Sequence, residues 1–432
     1  MVQMKKNLSF LAFLGLAVVF GLSGCGILGS ESSESDSALK PLDATFSIYA
    51  NDPAPNDSLK THLSTGVLMR VYPGGEYTLS FDADADHDAP KLLLYRLTSQ
   101  DLETFTIGSQ TKNLTATDSA GRWVYHFDCG ESSMAYWGTV LVEDGEYYTG
   151  SLNNLRFEGV GTNSLHLKLN LIVVGSYGGT SDDVSLDSLS RLMLEHFRSA
   201  FSAGGIVVDT LYVHRASERT DLSTAYPDNE PWLAGKYSDD FFVTEVGGWP
   251  NSEAEPDIYN ALDLVLVHRI EKTGVLGYSA LFSGNLGGGL GSTVVVGTHY
   301  LENNSKESSQ SALQIVLTAV HESGHFFGLR HTTSTTSEMM SSLDQSNYHD
   351  GLDDTPFCGA LVPLMANSEI SADLLDMPSE VMPRIYLEKK VTSCPDALNP
   401  MFPVSADNPE ETEDFTEDQL ALVAKMLQLY TH

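Results

Sequence analysis

The chain has 432 residues and a formal net charge of −34, from 58 acidic against 24 basic side chains. Its length is sufficient for two domains with separate cores, and its hydrophobic content of 42% is ordinary for a soluble globular protein. The negative charge disfavours nucleic acid and anionic membrane surfaces as direct partners, because both would repel the protein. We therefore interpret the acidity as a solubility feature of a protein that works outside the cytoplasm.

The N-terminus has the pattern of a targeting segment. Lys5 and Lys6 precede the apolar run LSFLAFLGLAVVFGL, and the sequence LSGC follows at residues 22–25. A positive start and a short apolar core indicate a secretory signal. The small residues before Cys25 are similar to a bacterial lipobox, in which the cysteine is lipidated and becomes the mature N-terminus. A transmembrane anchor is the rival interpretation, but the apolar run is short for a stable span.

This start predicts the fate of the first forty residues. Residues 1–24 are predicted to be a lipoprotein signal peptide, and residues 25–40, rich in Ser and Glu, a flexible tether. The protein is then expected to be an exported bacterial lipoprotein of the cell envelope, at the outer membrane or cell surface. Its only membrane contact would be the lipid on Cys25.

Residues 41–163 have the pattern of an all-β domain. Short runs such as VLMRVY, KLLLYRL and RWVYHF are separated by clusters of Asp, Gly, Asn and Pro at fairly regular spacing. We predict a β-sandwich of immunoglobulin-like type for this range. The acidic run DADADHD at 82–88 lacks the Gly and Glu of an EF-hand loop, so we interpret it as a solvated turn.

From residue 164 the pattern changes to alternating strands and helices. The runs HLKLNLIVVGSY, IVVDTLYVHRA, LDLVLVHRI and STVVVGTHY predict buried strands. VSLDSLSRLMLEHFRSAF predicts an amphipathic helix that ends at Gly204 and Gly205. Residues 216–260 are polar and are predicted to form an excursion near a cleft. The alternation favours an α+β or α/β fold with a mixed sheet.

A second amphipathic helix is predicted over residues 309–320. Either Ser309 or Ser311 is suited to cap its start. A helix with one apolar face packs against a core and gives rigid support to whatever follows it. The predicted apolar stripe consists of Leu313, Val316, Leu317 and Val320.

The string HESGHFFGLRH at 321–331 directly continues this helix. His321 and His325 are four residues apart, so they project from one helix face. The glycine after them permits a backbone turn, which lets His331 reach the same point. Three histidines suit a zinc ion that keeps one position for water, and Glu322 is placed to accept a proton from that water. The motif therefore predicts one catalytic zinc ion with Glu322 as the general base.

HESGHFFGLRH resembles the zinc-binding consensus of the metzincins, a clan of zinc-dependent metalloendopeptidases. A second mark of that clan is a tight Met-turn beneath the zinc, and NPMFPVS at 399–405 is similar to it, with Met401 as the structural methionine. An amphipathic helix predicted for 416–430 follows. The resemblance covers about residues 165–432. It implies a zincin-like catalytic domain over 164–432, with a twisted mixed sheet and an active-site helix.

Other segments are closest to the pappalysin-like and related bacterial secreted members. HDGLDDTPFC at 349–358 is similar to their Asp-Thr-Pro segment followed by Cys. TGVLGYSALF at 273–282 resembles the segment that forms the antiparallel edge of their sheet. Pro403 stands where some metzincins have a Tyr, so no extra zinc ligand or oxyanion donor is assigned.

The acidic residues of the first of these segments allow two interpretations. The resemblance suggests that Asp350, Asp353 and Asp354 bind calcium and order their loop. A plain solvated loop fits the same residues equally well, and the sequence does not separate the two.

Three cysteines remain after Cys25, which in an oxidising compartment suggests one disulfide and one odd thiol. Cys358 and Cys394 are the favoured pair, since both lie between the zinc motif and the C-terminus. Cys129 is interpreted as a buried small residue. The alternative is that its thiolate occupies the zinc and keeps an enzyme latent, but no supporting pattern surrounds it.

Together these residues predict a cell-surface zinc endopeptidase that acts on a peptide or protein. The extended substrate is expected to add as a strand to the sheet edge near residues 276–283. Two other interpretations stay open: a non-catalytic surface-binding or adhesion lipoprotein with a vestigial zinc site, and a zinc enzyme that acts on a non-peptide bond. The presence of Glu322 disfavours the first of these, since a vestigial site has no need of a base.

Overall fold

The structure, a computed structural model, divides into two compact units: Met1–Asn163 with His432, and Ser164–Thr431. In the part of the chain that the structure describes, we find no helix with the length and hydropathy needed to cross a membrane. The predicted signal peptide, Cys25 and the tether lie outside the described residues. Those residues are 44–48, 62–63, 67–71, 75–83, 89, 91–97, 112–114, 117–119, 121–128, 134–142, 150–159, 164–235, 242–247, 261–279, 286, 293–302, 306–333, 349–356, 394–403, 405 and 408–431.

The first unit is built from antiparallel strands in two sheets. Its described strands, β1 to β10, are Ala44–Ile48, His62–Leu63, Val67–Val71, Glu76–Asp82, Lys91–Leu97, Lys112–Leu114, Thr117–Ser119, Arg122–Asp128, Met134–Val142 and Gly150–Glu158. One sheet has the order β1-β10-β4-β8-β7, and the other has the order β2-β9-β5-β6 with β3 also paired to β9. Every regular element that the structure describes in this unit is a strand, and the all-β domain over 41–163 stays a prediction.

The first of these sheets has a buried aromatic face. Tyr77 in β4 is paired with Phe127 in β8, and its ring stacks on Phe127 and Phe157 at centroid distances of 5.5 and 5.4 Å. Trp123 and Tyr125 of β8 are also buried. Buried and more exposed residues alternate along β8, as expected for a strand with one face against the core and the other toward solvent. Side chains of the second sheet lie outside the described residues, so the face-to-face packing of a sandwich stays a prediction.

Strand β10 is an interior strand of its sheet, although the sequence pattern does not predict a strand there. It lies between β1 and β4, and its sequence GSLNNLRFE is mostly polar. Leu155 and Phe157 supply fully buried apolar side chains. A strand with so few apolar positions gives little periodic signal, and its neighbours stabilise it through pairing instead.

The second unit has a mixed sheet accompanied by helices. Its described strands, β11 to β17, are His166–Val173, Val207–Arg215, Leu233–Ala234, Ala261–Thr273, Gly277–Tyr278, Thr293–Leu301 and Glu307–Ser309. Its helices, α1 to α4, are Leu186–Ser202, Phe242–Val246, Ala312–Phe326 and Glu417–Thr431. The sheet order is β12-β11-β14-β16-β15, with β13 paired to β14 and β17 to β16. Strands β12, β11, β14 and β16 are parallel, whereas β15 is antiparallel to β16.

Helix α1 joins the parallel neighbours β11 and β12, and it lies where the sequence predicts an amphipathic helix. The Ser185 side chain caps its start by accepting a hydrogen bond from the N–H of Ser188. Phe201, at its end, stacks on Phe415 with a centroid distance of 5.5 Å and meets the edge of Phe327 at 6.3 Å. These aromatic contacts join α1 to the end of α3. The buried stripe of α1 is Leu189, Met193, Phe197 and Phe201.

One face of the sheet is covered partly by the segment that the sequence predicts to be a polar excursion. Trp232 packs against this cover, and its ring lies 4.7 Å from that of Tyr226 in an edge-to-face contact. The apolar residues of 216–260 are sparse and without a period, so the pattern does not reveal their burial. The buried residues that this segment contributes are Ala216, Leu222, Tyr226, Ala234, Val243 and Val246.

Candidate metal centre

Helix α3 carries the histidine motif, and Ser311 caps its start. The Ser311 hydroxyl accepts a hydrogen bond from the N–H of Gln314 at 3.2 Å. Ser309, the other predicted cap, lies in β17 instead. The first N–H of the helix, on Ala312, donates to Oδ1 of Asp182 at 3.1 Å. The start of the helix is therefore fixed from two sides, which sets the position of the motif three turns later.

The buried face of α3 is rotated slightly from the predicted stripe. Val316 and Val320 are buried as predicted, whereas Leu313 and Leu317 are only half-buried. Ile315 is buried where the prediction has Leu317, so the apolar face is turned toward Ala312, Ile315 and Ala319. The other buried residues of α3 are Ala312, Ile315, Thr318, Ala319, Glu322, Ser323, Gly324 and Phe326.

The structure brings the three predicted histidines together. The ring centroids of His321, His325 and His331 are separated by 4.8, 5.4 and 4.7 Å, and one ligand nitrogen from each lies within 4.8 Å of the others. Nε2 of His325 is 3.2 Å from Nε2 of His331. Two tetrahedral ligands held about 2.0–2.1 Å from one ion are roughly 3.3 Å apart. This donor set therefore fits a zinc-class ion.

The chain leaves α3 through a turn at Gly328. The φ of this residue is +88°, in the left-handed region that glycine adopts without the steric cost of a Cβ. The N–H of Leu329 then donates back to the carbonyl of Gly324 at 2.9 Å. The turn returns the chain toward the helix, and His331 thereby reaches His325.

Backbone carbonyls determine the tautomers of two of the histidines. Nδ1–H of His321 donates to the carbonyl of Pro400 at 2.6 Å, and Nδ1–H of His325 donates to the carbonyl of Leu329 at 2.7 Å. A carbonyl oxygen only accepts, so the proton resides on Nδ1 and Nε2 keeps its lone pair. Each ring is thereby oriented with Nε2 as its metal-binding atom.

His331 is positioned through the two threonines that follow it. The hydroxyls of Thr332 and Thr333 both donate to Oδ2 of Asp396 at 2.7 Å, and the N–H of Thr332 donates to the carbonyl of Met401 at 3.1 Å. Asp396 and both threonines are almost fully buried. Asp396 thus ties the end of the motif to the segment that contains Met401.

Glu322 is buried beside the edge strand β15. Burial raises the pKa of its carboxyl to about 8 in the metal-free protein, and the hydrogen bond from the N–H of Ser279 offsets this only in part. The strand comes close because residue 277 is glycine: a Cβ there would lie 2.8 Å from Cγ of Glu322 and 2.9 Å from the carbonyl of Val295. A carboxyl whose pKa lies near neutrality is suited to both accept and release a proton.

Met401 lies against the helix, under the histidine motif. It is fully buried, and its sulfur occupies the space where a side chain on Gly324 would be. Its N–H donates to Oδ1 of Asn399 at 2.8 Å, and Nε2 of Gln419 donates to the same oxygen at 3.1 Å. Pro400, between them, is the residue whose carbonyl orients His321. The segment predicted as a Met-turn therefore contacts both the helix and one of its histidines.

Gly324→Ala is expected to destabilise the protein by about 1–3 kcal/mol. In an exposed helix this substitution would stabilise by roughly 1 kcal/mol, but here the new Cβ collides with Sδ of buried Met401, and overpacking a closed core has the larger effect. Thermal unfolding of both single variants and of Gly324→Ala/Met401→Ala measures it. The double variant should be more stable than the two single losses predict. Additive losses would contradict the contact.

Two of the three aspartates considered for calcium have other contacts. Asp350 accepts a hydrogen bond from the hydroxyl of Thr355 at 2.6 Å. Asp354 accepts one from the hydroxyl of Thr416 at 2.8 Å, next to the start of α4. Asp353 is exposed. Within the described ranges these carboxylates do not converge as a three-ligand group, so calcium at this loop stays a prediction.

Of the remaining cysteines, Cys394 alone belongs to the described part of the chain. It is buried and disulfide-bonded, at the start of the segment that leads to Met401. Cys358 and Cys129 lie outside the described residues. The pairing of Cys358 with Cys394 and the latency role weighed for Cys129 both stay predictions.

Comparison with known proteins adds little to this geometry. No protein-family model and no curated protein matches the chain. It is similar to the ZmpB metallopeptidase from Clostridium perfringens at 11% identity and a TM-score of 0.19, over 71% of this chain and 57% of that one. The M60 catalytic domain of Clostridium perfringens ZmpC, in complex with the sialyl T antigen, matches at 12% and 0.17, over 71% and 56%.

A family two carbohydrate esterase from Cellvibrio japonicus also matches, at 10% identity and a TM-score of 0.13, over 54% of this chain and 68% of that one. The chain thus spans less than two thirds of the two metallopeptidase structures. Likenesses with TM-scores this low carry no argument about fold or activity. The function must therefore be argued from the residues of the site.

Proposed function

We propose that the protein is a zinc-dependent metalloendopeptidase with a metzincin-like catalytic unit of the pappalysin-related type. The observation that carries this proposal is the convergence of His321, His325 and His331 next to the buried carboxyl of Glu322. Two of these histidines have Nδ1 engaged by a carbonyl, which suits Nε2 to metal binding. The contact of Met401 with α3 and the antiparallel edge strand β15 support the resemblance to metzincins.

The residues of the site have distinct roles in the proposed reaction. A zinc ion held by the three histidines would supply a Lewis acid and a water molecule of lowered pKa. Glu322 takes the proton of the attacking water and passes it to the leaving amine. The N–H of Ser279 and the close approach of Gly277 hold the carboxyl in place. Asp396 is a positioning residue, since it acts on His331 only through Thr332 and Thr333.

An extended peptide is the substrate that this sheet edge favours. Among the described strands, β15 pairs with β16 alone. We propose that the substrate adds as a further strand on the other side of β15. Because Gly277 of this strand lies against Glu322, a peptide paired there would pass beside the proposed base.

We also propose that the protein is an exported bacterial lipoprotein of the cell envelope. The support is the sequence alone: a positive start, a short apolar run and the lipobox-like LSGC before and at Cys25. The lipid would be the membrane contact. A net charge of −34 makes nucleic acid an unsuitable partner.

The proposal is tested by peptide cleavage and its dependence on metal. The full-length protein is expected to cleave casein or a peptide library, to lose this activity to background after treatment with a zinc chelator, and to recover it when Zn²⁺ is restored. Thermal unfolding recorded on the same samples shows whether the chelated protein stays folded. If folded protein binds zinc stoichiometrically and still leaves every peptide bond intact, the peptidase proposal fails.

A further inference from the structure

A second group of metal-binding side chains lies on the sheet of the second unit: His268 on β14, His299 on β16 and Glu307 on β17. One ring nitrogen from each histidine and one carboxylate oxygen all lie within 4.8 Å of one another. We propose that these three residues bind a second, structural ion of the zinc class. This inference does not depend on the proposed peptidase activity, because the two groups share no residue.

The distances within the group suit a shared ion. Nε2 of His268 lies 3.2 Å from Oε1 of Glu307, close to the roughly 3.3 Å between two ligands of one tetrahedral zinc. The same separation occurs between Nε2 of His325 and Nε2 of His331 in the motif. The rings of His268 and His299 are stacked with centroids 4.2 Å apart, so the two imidazoles are already adjacent.

A threonine hydroxyl determines which nitrogen His299 presents. Oγ1 of Thr298 donates its single proton to the carbonyl of His268 at 3.1 Å. It therefore accepts the hydrogen bond from Nδ1–H of His299, 2.9 Å away. Nε2 of His299 then keeps its lone pair. This arrangement matches the motif histidines, whose Nδ1 atoms also donate to oxygen acceptors.

The charges around the group leave it suited to a cation. Arg269 forms ion pairs with Glu307 and, at 2.7 Å, with Glu271. The positive charge of the Arg269 guanidinium offsets one of the two carboxylate charges. A net charge of −1 therefore remains beside the histidines.

His268 is the least satisfied member of the group. Its Nδ1 is buried and has no hydrogen-bond partner among the described residues. The other ring nitrogen, Nε2, faces Oε1 of Glu307 at 3.2 Å and is the atom of His268 that would bind the ion.

The location of the group indicates what the ion would do. It would join three neighbouring strands of the sheet, β14, β16 and β17. Strand β17 leads through Gln310 to Ser311, the N-cap of α3. Glu307 therefore lies only a few residues before the motif helix. An ion held here would clamp the strands from which α3 departs, which is a structural role rather than a catalytic one.

Zinc content of the purified full-length chain tests this second site. After equilibration with Zn²⁺ and removal of excess metal, elemental analysis is expected to give two zinc ions per wild-type chain. Glu307→Gln and His299→Ala are each expected to give one. His166→Ala is the matched control, because His166 is an exposed histidine that also pairs with a carboxylate, Asp209, and it should keep two.

The zinc in the motif serves as an internal check on folding. A single variant that keeps one zinc is folded if the double variant with His321→Ala loses that zinc. The remaining ion is then bound by the motif, and only the second site has been removed. If His299→Ala does not fold, Glu307→Gln carries the test, because it preserves the size and the hydrogen-bond acceptor of the side chain. The proposal is overturned by one zinc in the wild type that His321→Ala removes, or by two that persist in Glu307→Gln. Either result makes the group a His–Glu ion pair only. Peptide cleavage is not a readout here, so failure of this site leaves the proposed activity untouched.

Discussion

Glu322→Gln is expected to lower kcat/KM for peptide hydrolysis by about 10²–10⁴-fold, the usual contribution of a positioned general base. Glutamine has the same shape and still accepts the hydrogen bond from the N–H of Ser279. It cannot take a proton from water, and none of the three histidines is changed. Zinc content should therefore equal that of the wild type. Steady-state cleavage of a defined peptide, together with elemental analysis, measures both quantities.

Glu195→Gln is the matched control for this result. Glu195 lies exposed on helix α1, so the same chemical change is made where no role in the reaction is proposed, and activity should be unchanged. Activity of Glu322→Gln close to that of the wild type would remove Glu322 from the reaction. Loss of zinc together with activity would instead make Glu322 a structural support of the metal site.

The core of the candidate site is predictable from sequence because it is local. His321, His325 and His331 fall within eleven residues, and their convergence needs only a helix and one turn at Gly328, whose φ is +88°. Helical spacing and the freedom of glycine are properties of short segments, so a spacing argument reaches them. The position of Met401 was predictable for another reason, the resemblance of its segment to a known turn.

The groups that orient the site are not predictable in this way. Asp396 contacts Thr332 across 64 residues, and the carbonyl of Pro400 contacts His321 across 79. Two of the orienting groups, the carbonyl of Pro400 and the N–H of Ser279, belong to the backbone and have no signature in a sequence. A buried acid such as Asp396 looks like any loop aspartate until its partners are known. The nearest signal was its position five residues before Met401.

The same distinction applies to the fold. Strand β14 was predictable because its first seven residues are buried on both faces and all but Asp263 are apolar. The burial of Tyr226 and the pairing of β10 were not, because both depend on neighbours distant in sequence. The group of His268, His299 and Glu307 is a third case: three strands bring together residues with no common motif. Sequence patterns describe segments, whereas these features arise from how segments are assembled.

The second large effect concerns the stability of the metal-free protein: Glu322→Gln is expected to stabilise it at alkaline pH. Burial holds the pKa of Glu322 at about 8, against 4.5 for the ordinary group. A carboxyl with a raised pKa contributes stability that is fully present below pH 4.5 and is lost as the pH rises through 8, because the folded state resists ionisation. At about 1.4 kcal/mol per pH unit, this amounts to roughly 5 kcal/mol above pH 8.

Thermal unfolding of chelated wild type and Glu322→Gln between pH 5 and pH 9 measures this effect. The difference in Tm should be small at pH 5 and should grow to roughly 10 °C or more at pH 9, with the variant the more stable. Glu195→Gln provides the baseline for an exposed carboxyl, and a difference that does not change with pH would contradict a buried ionisable group. Zinc should narrow the difference, because a cation beside Glu322 favours its charged form. Metal binding and ionisation of the proposed base would then be coupled, so that the carboxylate becomes stable in the fold when the metal is bound.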